Sequence, residues 1–377
     1  MLRVKKYLLL ISLFIAFGIT GFAQIPASTP TREEKLTIET EEIKINVAAF
    51  DASGAFVTDV KKEDLVIVED GRLERASSVR RVPGNVLIVL DTGDQMRSNL
   101  SATRAAAKNL VSSLQASDNI SVFQYNDKVE MLSDWTTDKN RIFEVLDKKL
   151  SFGRRSVFNQ ALESAIRFFY KTPLENRHLV LITGGIDSLN NSAQRDAATA
   201  ALMASDINVH VVSYTNLQRN SIAAQKAIFI EGEPKPQRLP EEVVNTLPDP
   251  KGAGKKKNAT IRDAARMQRL GSITLDRERI KRAKENENEL EAGEQFLTRI
   301  AEETNGEILL PETLNEAIEK TATLAKYIDS QYVITYVPKR PLKDSPKGEI
   351  RRIEVTSRRE GLEAASHRKL VVEGKNN

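Results

Sequence analysis

The chain has 377 residues, 40% of them apolar and 29% charged, which suits one large soluble domain plus a smaller one and excludes disorder throughout. It contains no cysteine, which excludes disulfides, thiolate metal sites, cysteine nucleophiles and a lipidated cysteine, so stability must come from packing. The formal charge of +4 is unevenly spread, and a pI of 9.0 is poor evidence for nucleic-acid binding by the whole molecule.

At the start, Arg3, Lys5 and Lys6 precede the apolar run YLLLISLFIAFGITGFA, with Gly21 and Ala23 at the positions signal peptidase requires. Residues 1–23 read as a secretory signal cleaved before Gln24, which implies a bacterial periplasmic, envelope or secreted setting. The alternative is an uncleaved anchor, since a run of 17 residues is at the short limit for spanning a bilayer. Residues 24–35 read as a linker. Residues 36–82 alternate as strands do and form a small β unit, in which Asp70-Gly71 is a hairpin dipeptide.

From residue 85 strands and helices alternate. The predicted strands are 85–91, 119–126, 177–183 and 207–214, and the predicted helices are 101–115, 139–150, 159–171 and 192–205. This pattern predicts an α/β fold, a doubly wound, mostly parallel sheet over residues 85–328 with helices on both faces. An insertion at 216–293 interrupts it, with a Pro/Gly/Lys-rich first part expected to be mobile and a charged helix over about 261–291. Within it, residues 251–285 carry twelve Lys and Arg against four Asp and Glu, a local charge of +8. The α/β scheme resumes with EQFLTRIAEETNG, the strand EILL and the helix ETLNEAIEKTATLAKYI. The tail, 330–377, supplies two extended segments, SQYVITYVP and GEIRRIEVTSRR, with KRPLKDSPK as a hairpin loop between them. Pairing of this tail with the N-terminal β unit predicts a small β-sandwich into which the α/β domain is inserted, because short N-terminal strands alone would leave open edges.

In an open α/β sheet, ligands bind beyond the carboxyl ends of the strands, where the order reverses. The loops placed there include VLIVLDTGDQM, RRSVFNQAL and LVLITGG. These strings, followed by INVHVVSY, resemble the von Willebrand factor type A domain. With KEDLVIVEDG before them and IAEETNGEILL and SQYVITYVP after, the layout is similar to bacterial exported proteins carrying an A-related domain. The resemblance implies a protein-binding fold with a metal-ion-dependent adhesion site: D-x-S-x-S after the first strand, a threonine from the second loop and the aspartate of a T-D-G after the fourth. Oxygen donors there let Mg²⁺ or Mn²⁺ accept a partner's carboxylate. On this sequence, Asp91 keeps the first aspartate, Gly93 and Gln95 fall on the two serines, Ser156 on the threonine and Gly184 on the aspartate.

A degenerate metal set of Asp91, Gln95 and Ser156 remains, with charge and ligand number both reduced. Asp94 and Asp187 lie near in sequence, and Arg154 and Arg155 offer charge-assisted donors for an anion; these four form the expected partner-binding rim. His178, His210 and His367 read as packing residues, and Trp135 as partial core. No G-x-S-x-G, H-E-x-x-H, Walker A or G-x-G-x-x-G string occurs. The expectation is therefore an exported, non-enzymatic adhesion or protein-interaction module without a functional metal site or specific nucleic-acid partner. The competing expectation is a scaffold whose segment 251–285 binds anionic envelope polymers, lipid or nucleic acid.

Overall fold

The computed structural model describes residues 41–231 and 257–372 and, within the helices, side chains up to 223 and again from 278. The expected signal, the linker and the side chains of residues 251–277 in the basic segment therefore lie outside the described residues. Among those described, no helix is long and apolar enough to cross a membrane.

Two sheets organise the chain. The α/β part holds β5 (Asn85–Asp91), β6 (Asn119–Tyr125), β7 (Val129–Thr136), β8 (Arg177–Thr183), β9 (Asn208–Ser213) and β10 (Ile308–Leu309), in the order β10-β9-β8-β5-β6-β7. All neighbours are parallel except β6 and β7. Every residue of β5 and β8 is buried, as strands covered on both faces must be. Sequence reading missed β7, whose VEMLSDWT lacks a continuous apolar run because an antiparallel edge strand is partly solvated. Helices α1 (Leu100–Ser113), α2 (Lys139–Lys148) and α7 (Leu314–Asp329) cover one face with Leu110, Ile142, Leu146 and Leu324. On the other face lie α3 (Phe158–Phe169), α4 (Ser192–Ala204) and the C-terminal end of α6 (Lys257–Glu303), packed through Leu162, Phe169, Leu202, Leu297 and Ile300.

The insertion is not a separate layer in its described part. Helix α5 (Thr215–Glu231) follows β9 directly, and α6 runs unbroken for 47 residues into the segment EQFLTRIAEE.

The second sheet is wholly antiparallel, with seven strands from both ends of the chain. Its members are β1 (Ile43–Asp51), β2 (Leu65–Glu69), β3 (Arg72–Glu74), β4 (Ala76–Arg80), β11 (Gln331–Tyr336), β12 (Ile350–Ser357) and β13 (Leu362–Val371), in the order β3-β2-β12-β13-β1-β11-β4. Asp70 and Gly71 adopt φ of 47° and 78° between β2 and β3, the left-handed pair a tight hairpin requires. The sandwich expectation needs correction: there is one sheet, curled so that β2 approaches β4 and both halves enclose Ile45, Ile67, Tyr336 and Ile353. The hairpin expected across KRPLKDSPK is also absent. β11 pairs with β1 and β4, whereas β12 pairs with β13 and β2, so both edges of β11 are taken and none is left for β12.

Buried polar chains join the two sheets. Arg368 of β13, 2% exposed, reaches beneath the α/β sheet and donates to Asn208 Oδ1 (3.1 Å), Thr304 O (3.2 Å), Ile207 O (3.3 Å) and Ser205 O. Burial lowers its pKa to about 10. A second chain runs from the Glu307 N–H to His210 Nδ1, from His210 Nε2 to His178 Nδ1 and from His178 Nε2 to Asn176 Oδ1, at 3.0, 3.0 and 2.8 Å. The first donor is a backbone amide, so both rings are neutral and their tautomers follow. Full burial holds both histidines below their ordinary pKa, His210 at about 3. At the same joint Asp329 is raised to about 8, first by burial and then by its neighbour Asp118.

These groups fix the sign of the pH dependence. Below pH 6.5 the unfolded chain takes up protons that the folded histidines refuse, so stability falls on acidification by about 1 kcal/mol per pH unit for each ring. Above pH 3.8 the unfolded chain releases a proton that folded Asp329 keeps, so stability also declines as pH rises towards 8. Thermal unfolding from pH 5 to 9 is expected to show a maximum near neutrality, with His210→Gln flattening the acid limb and Asp329→Asn the alkaline one. Arg368→Met should cost about 2–4 kcal/mol in denaturant titrations, since it strands several buried carbonyls together.

Candidate functional site at the ends of the parallel strands

The sheet reverses its winding between β5 and β8, and Asp91 and Thr183 stand side by side at those two strand ends. Asp91 is 3% exposed. Its Oδ1 accepts from the Gly93 N–H at 3.0 Å and the Ser156 hydroxyl at 2.9 Å, and its Oδ2 from the Thr183 hydroxyl at 3.2 Å. Thr183 is itself a junction, receiving the Gly185 N–H at 2.8 Å and pairing with the Tyr125 hydroxyl at 2.6 Å. Burial pushes the Asp91 carboxyl up, while the Gly93 amide and Ser156 hydroxyl pull the other way.

Around this carboxylate lies a cavity of about 150 Å³ lined by Gly93, Asp94, Gln95, Arg154, Gly184 and Gln218 among others. Asp91 and Ser156 are thus brought into direct contact. Asp94 and Gln95 line the opening but are exposed at the start of a short helical turn, Asp94–Asn99. Arg154 and Arg155 are exposed on the loop before α3, tied to Asp127 through the Arg154 N–H (3.1 Å) and Arg155 Nε (3.4 Å). Asp187 turns inward, contrary to a solvent-facing rim position: its Oδ1 accepts the N–H of Asn159 at 3.1 Å and caps α3. Exposed Phe152, with Arg97 stacked 4.1 Å above its ring, and exposed Leu189 complete the upper surface.

The donor set does not fit the cation that the resemblance implies. Three protein donors already engage Asp91, the buried carboxylate of this cavity, and both glycines stand against occupied space. A Cβ on Gly93 would lie 2.7 Å from Arg155 O, so no serine side chain has room there. A Cβ on Gly184 would meet Gln218 Oε1 at 2.9 Å, and Gln218 Nε2 donates to Gln95 O at 3.2 Å, bridging the mouth. Among the described residues no group of three or more His, Cys, Asp or Glu is arranged to hold a metal ion. His178 and His210 belong to the joint between the sheets, His367 lies on the antiparallel sheet 3.6 Å from Glu354, and Trp135 stacks on Phe168 at 5.1 Å.

Sequence reading missed Gln218 and the contact of the expected insertion helix with the strand-end turn. Helix α6 crosses the LVLITGG turn so closely that a Cβ on Gly293 would stand 2.8 Å from Gly185 O, and Gly185, at φ +72°, faces Leu297. Glu294 anchors the crossing by accepting from Arg219 at 2.6 Å and from the Thr215 hydroxyl. The one signal in the sequence was the glycine of EAGEQ in an otherwise charged helix, since an interior helical glycine needs a packing reason.

Residues 86–186 match the family model of the von Willebrand factor type A domain. No curated protein matches the chain. Solved structures similar to it include a conserved hypothetical protein BatB from Bacteroides thetaiotaomicron, 24% identical over 34% of this chain and 65% of that one, TM-score 0.30. The chain thus spans just under two thirds of that protein. An aerotolerance-related membrane protein from Bacteroides fragilis is 16% identical over 65% of this chain and 98% of its own, TM-score 0.37. A von Willebrand factor type A protein from Catenulispora acidiphila is 9% identical over 90% and 74%, TM-score 0.41.

The two glycine contacts differ in what they meet, backbone at Gly293 and the end of a flexible side chain at Gly184. Gly293→Ala is expected to cost about 1–3 kcal/mol by forcing α6 off the turn, whereas Gly184→Ala should cost less than half as much; chemical denaturation of both variants measures the ratio.

Proposed function

We propose that this chain, whose residues 86–186 form a von Willebrand factor type A domain, is an exported, non-enzymatic interaction module that grips a partner protein with its strand-end face and without a cation on Asp91. The observation that carries this reading is the division of labour at that face. The polar groups below it are consumed internally, with Asp91 taking donors from Gly93, Ser156 and Thr183, while exposed Arg154 lines the opening and exposed Phe152, Arg155 and Leu189 stand on the loops that carry its lining. An aromatic and two arginines around a cavity mouth are the residue types that dominate binding energy at protein interfaces.

The test uses the chain beginning at Gln24 as bait against bacterial envelope extract, with the captured partner then measured by calorimetry. Replacing Arg154 and Arg155 by Glu, or Phe152 by Ala, should weaken capture by about tenfold or more. Ser156→Ala should leave any Mg²⁺ or Mn²⁺ isotherm unchanged. Partner binding that tolerates all three rim substitutions, or a divalent-ion site abolished by Ser156→Ala, contradicts the reading.

A further inference from the structure

Adjoining the Asp91 cavity, with which it shares Gln95, Ile186 and Ser188, lies a second cavity of about 400 Å³ between the β8–α4 loop and α6. We propose that it is a binding site for a hard divalent cation of the calcium class, built from Asn159, Asp187 and Glu289 and independent of Asp91 and Ser156. This goes beyond the partner-binding reading and does not depend on it.

Two buried acceptors with no donor carry this proposal. Asn159 is 2% exposed, and its Oδ1 has no protein hydrogen-bond partner. An inverted amide does not relieve this, because Asn159 Nδ2 donates to Asn191 O at 3.2 Å and inversion would set two oxygens against each other. Asp187 is the neighbour that receives the Asn159 N–H on Oδ1, and its Oδ2 is likewise buried without a partner. Both residues line the cavity, and Glu289 of α6 lines it as well. A buried amide oxygen and a buried carboxylate oxygen on hydrogen-bonded neighbours, both lacking donors, mark a place where positive charge belongs.

The loop is already set for it. Ser188 N–H donates to Ser156 O and Ser156 N–H to Ser188 Oγ, both at 2.8 Å, and Asn190 N–H closes the turn onto Asp187 O at 3.1 Å. Little ordering is left to be done on binding. Arg195 also lines the cavity, with its guanidinium drawn 5.8 Å over the Phe296 ring; it limits the net charge and hence the affinity. Mixed amide and carboxylate oxygens in an irregular cavity suit calcium, which accepts six to eight ligands in flexible geometry, better than magnesium, which demands an octahedron. With two carboxylates the dissociation constant falls in the class of about 10⁻⁴–10⁻³ M. The ion would tie the loop to α6 beside the Gly185–Gly293 contact, since both glycines line the cavity.

Calorimetry and thermal unfolding with CaCl₂ and MgCl₂ on the full chain test this. The expected result is saturable Ca²⁺ binding with a matching rise in Tm and a weaker Mg²⁺ response. Asp187→Asn, which keeps the cap on α3, should weaken Ca²⁺ binding at least about tenfold, and Glu289→Gln should weaken it as well; Ser156→Ala should leave it unchanged. Glu289 is exposed, so an unchanged Tm of Glu289→Gln without calcium separates loss of binding from misfolding. Absence of saturable Ca²⁺ binding, or a response undiminished in Asp187→Asn, overturns the proposal. Loss on Ser156→Ala alone would place the ion on Asp91, overturning this proposal and, separately, the cation-free part of the proposed function.

Discussion

A carboxylate buried where the sheet changes winding direction must be satisfied by its own chain, and the form of the upper face follows from how Asp91 manages it. Its three donors come from three segments: the turn after β5, the loop before α3 and the end of β8. Each bond to an ionised acceptor is worth about 1.5–3 kcal/mol and is costly to leave unmade. The loop before α3 is therefore pulled down onto the strand ends, which lays Arg155 O against Gly93 and leaves Phe152 and the two arginines facing outward. The side chains that shape the opening are exposed because the ones beneath them are committed.

The insertion acts on the same face from the other side. Helix α6 is an ordinary crossover helix at its C-terminal end, where Leu297, Ile300 and Ala301 are fully buried. It becomes part of the site because it extends past the sheet before meeting α5, and its approach is limited only by backbone at Gly185 and Gly293. Helix α5, held to it through Glu294, delivers Gln218 to the mouth of the cavity. The strand-end face is thus composite, one side set by the loop before α3 and the other by the two helices of the insertion.

The α/β architecture was legible because its central strands carry continuous apolar runs and its helices carry 3.6-residue periodicity, so β5, β8 and α3 stand out in the sequence. Strand β7 was not, since an edge strand needs no apolar face on its solvent side. Nor was the curled antiparallel sheet, because strand sequence specifies which side chains point inward but not which strand is the neighbour. The distinction matters at β11, whose SQYVITYVP suggested a hairpin with the next strand and instead takes β1 and β4 as partners. At the site, Asp91 was legible from its strand-end position, and Ser156 through the resemblance to the von Willebrand factor type A pattern. Gln218 and Asn159 were not, because each acts through a contact with a segment far along the chain, and a neutral amide carries no local signature of what it will touch.

The glycines at 93 and 184 have two readings, as missing cation ligands and as packing necessities, and the geometry joins them. Removing a hydroxyl and a carboxylate from a cation site leaves one negative charge with too few donors, and a bare buried carboxylate is unstable unless the protein supplies others. Ser156, Thr183 and the Gly93 amide do so only by closing in, and closing in fills the volume those side chains would need. Arg155 O lies within 2.7 Å of a Cβ at position 93, and Gln218 within 2.9 Å of one at position 184. The ligands and the space for them are absent together, so no single substitution supplies them: a serine at 93 meets backbone, and an aspartate at 184 must first displace the amide that bridges the mouth.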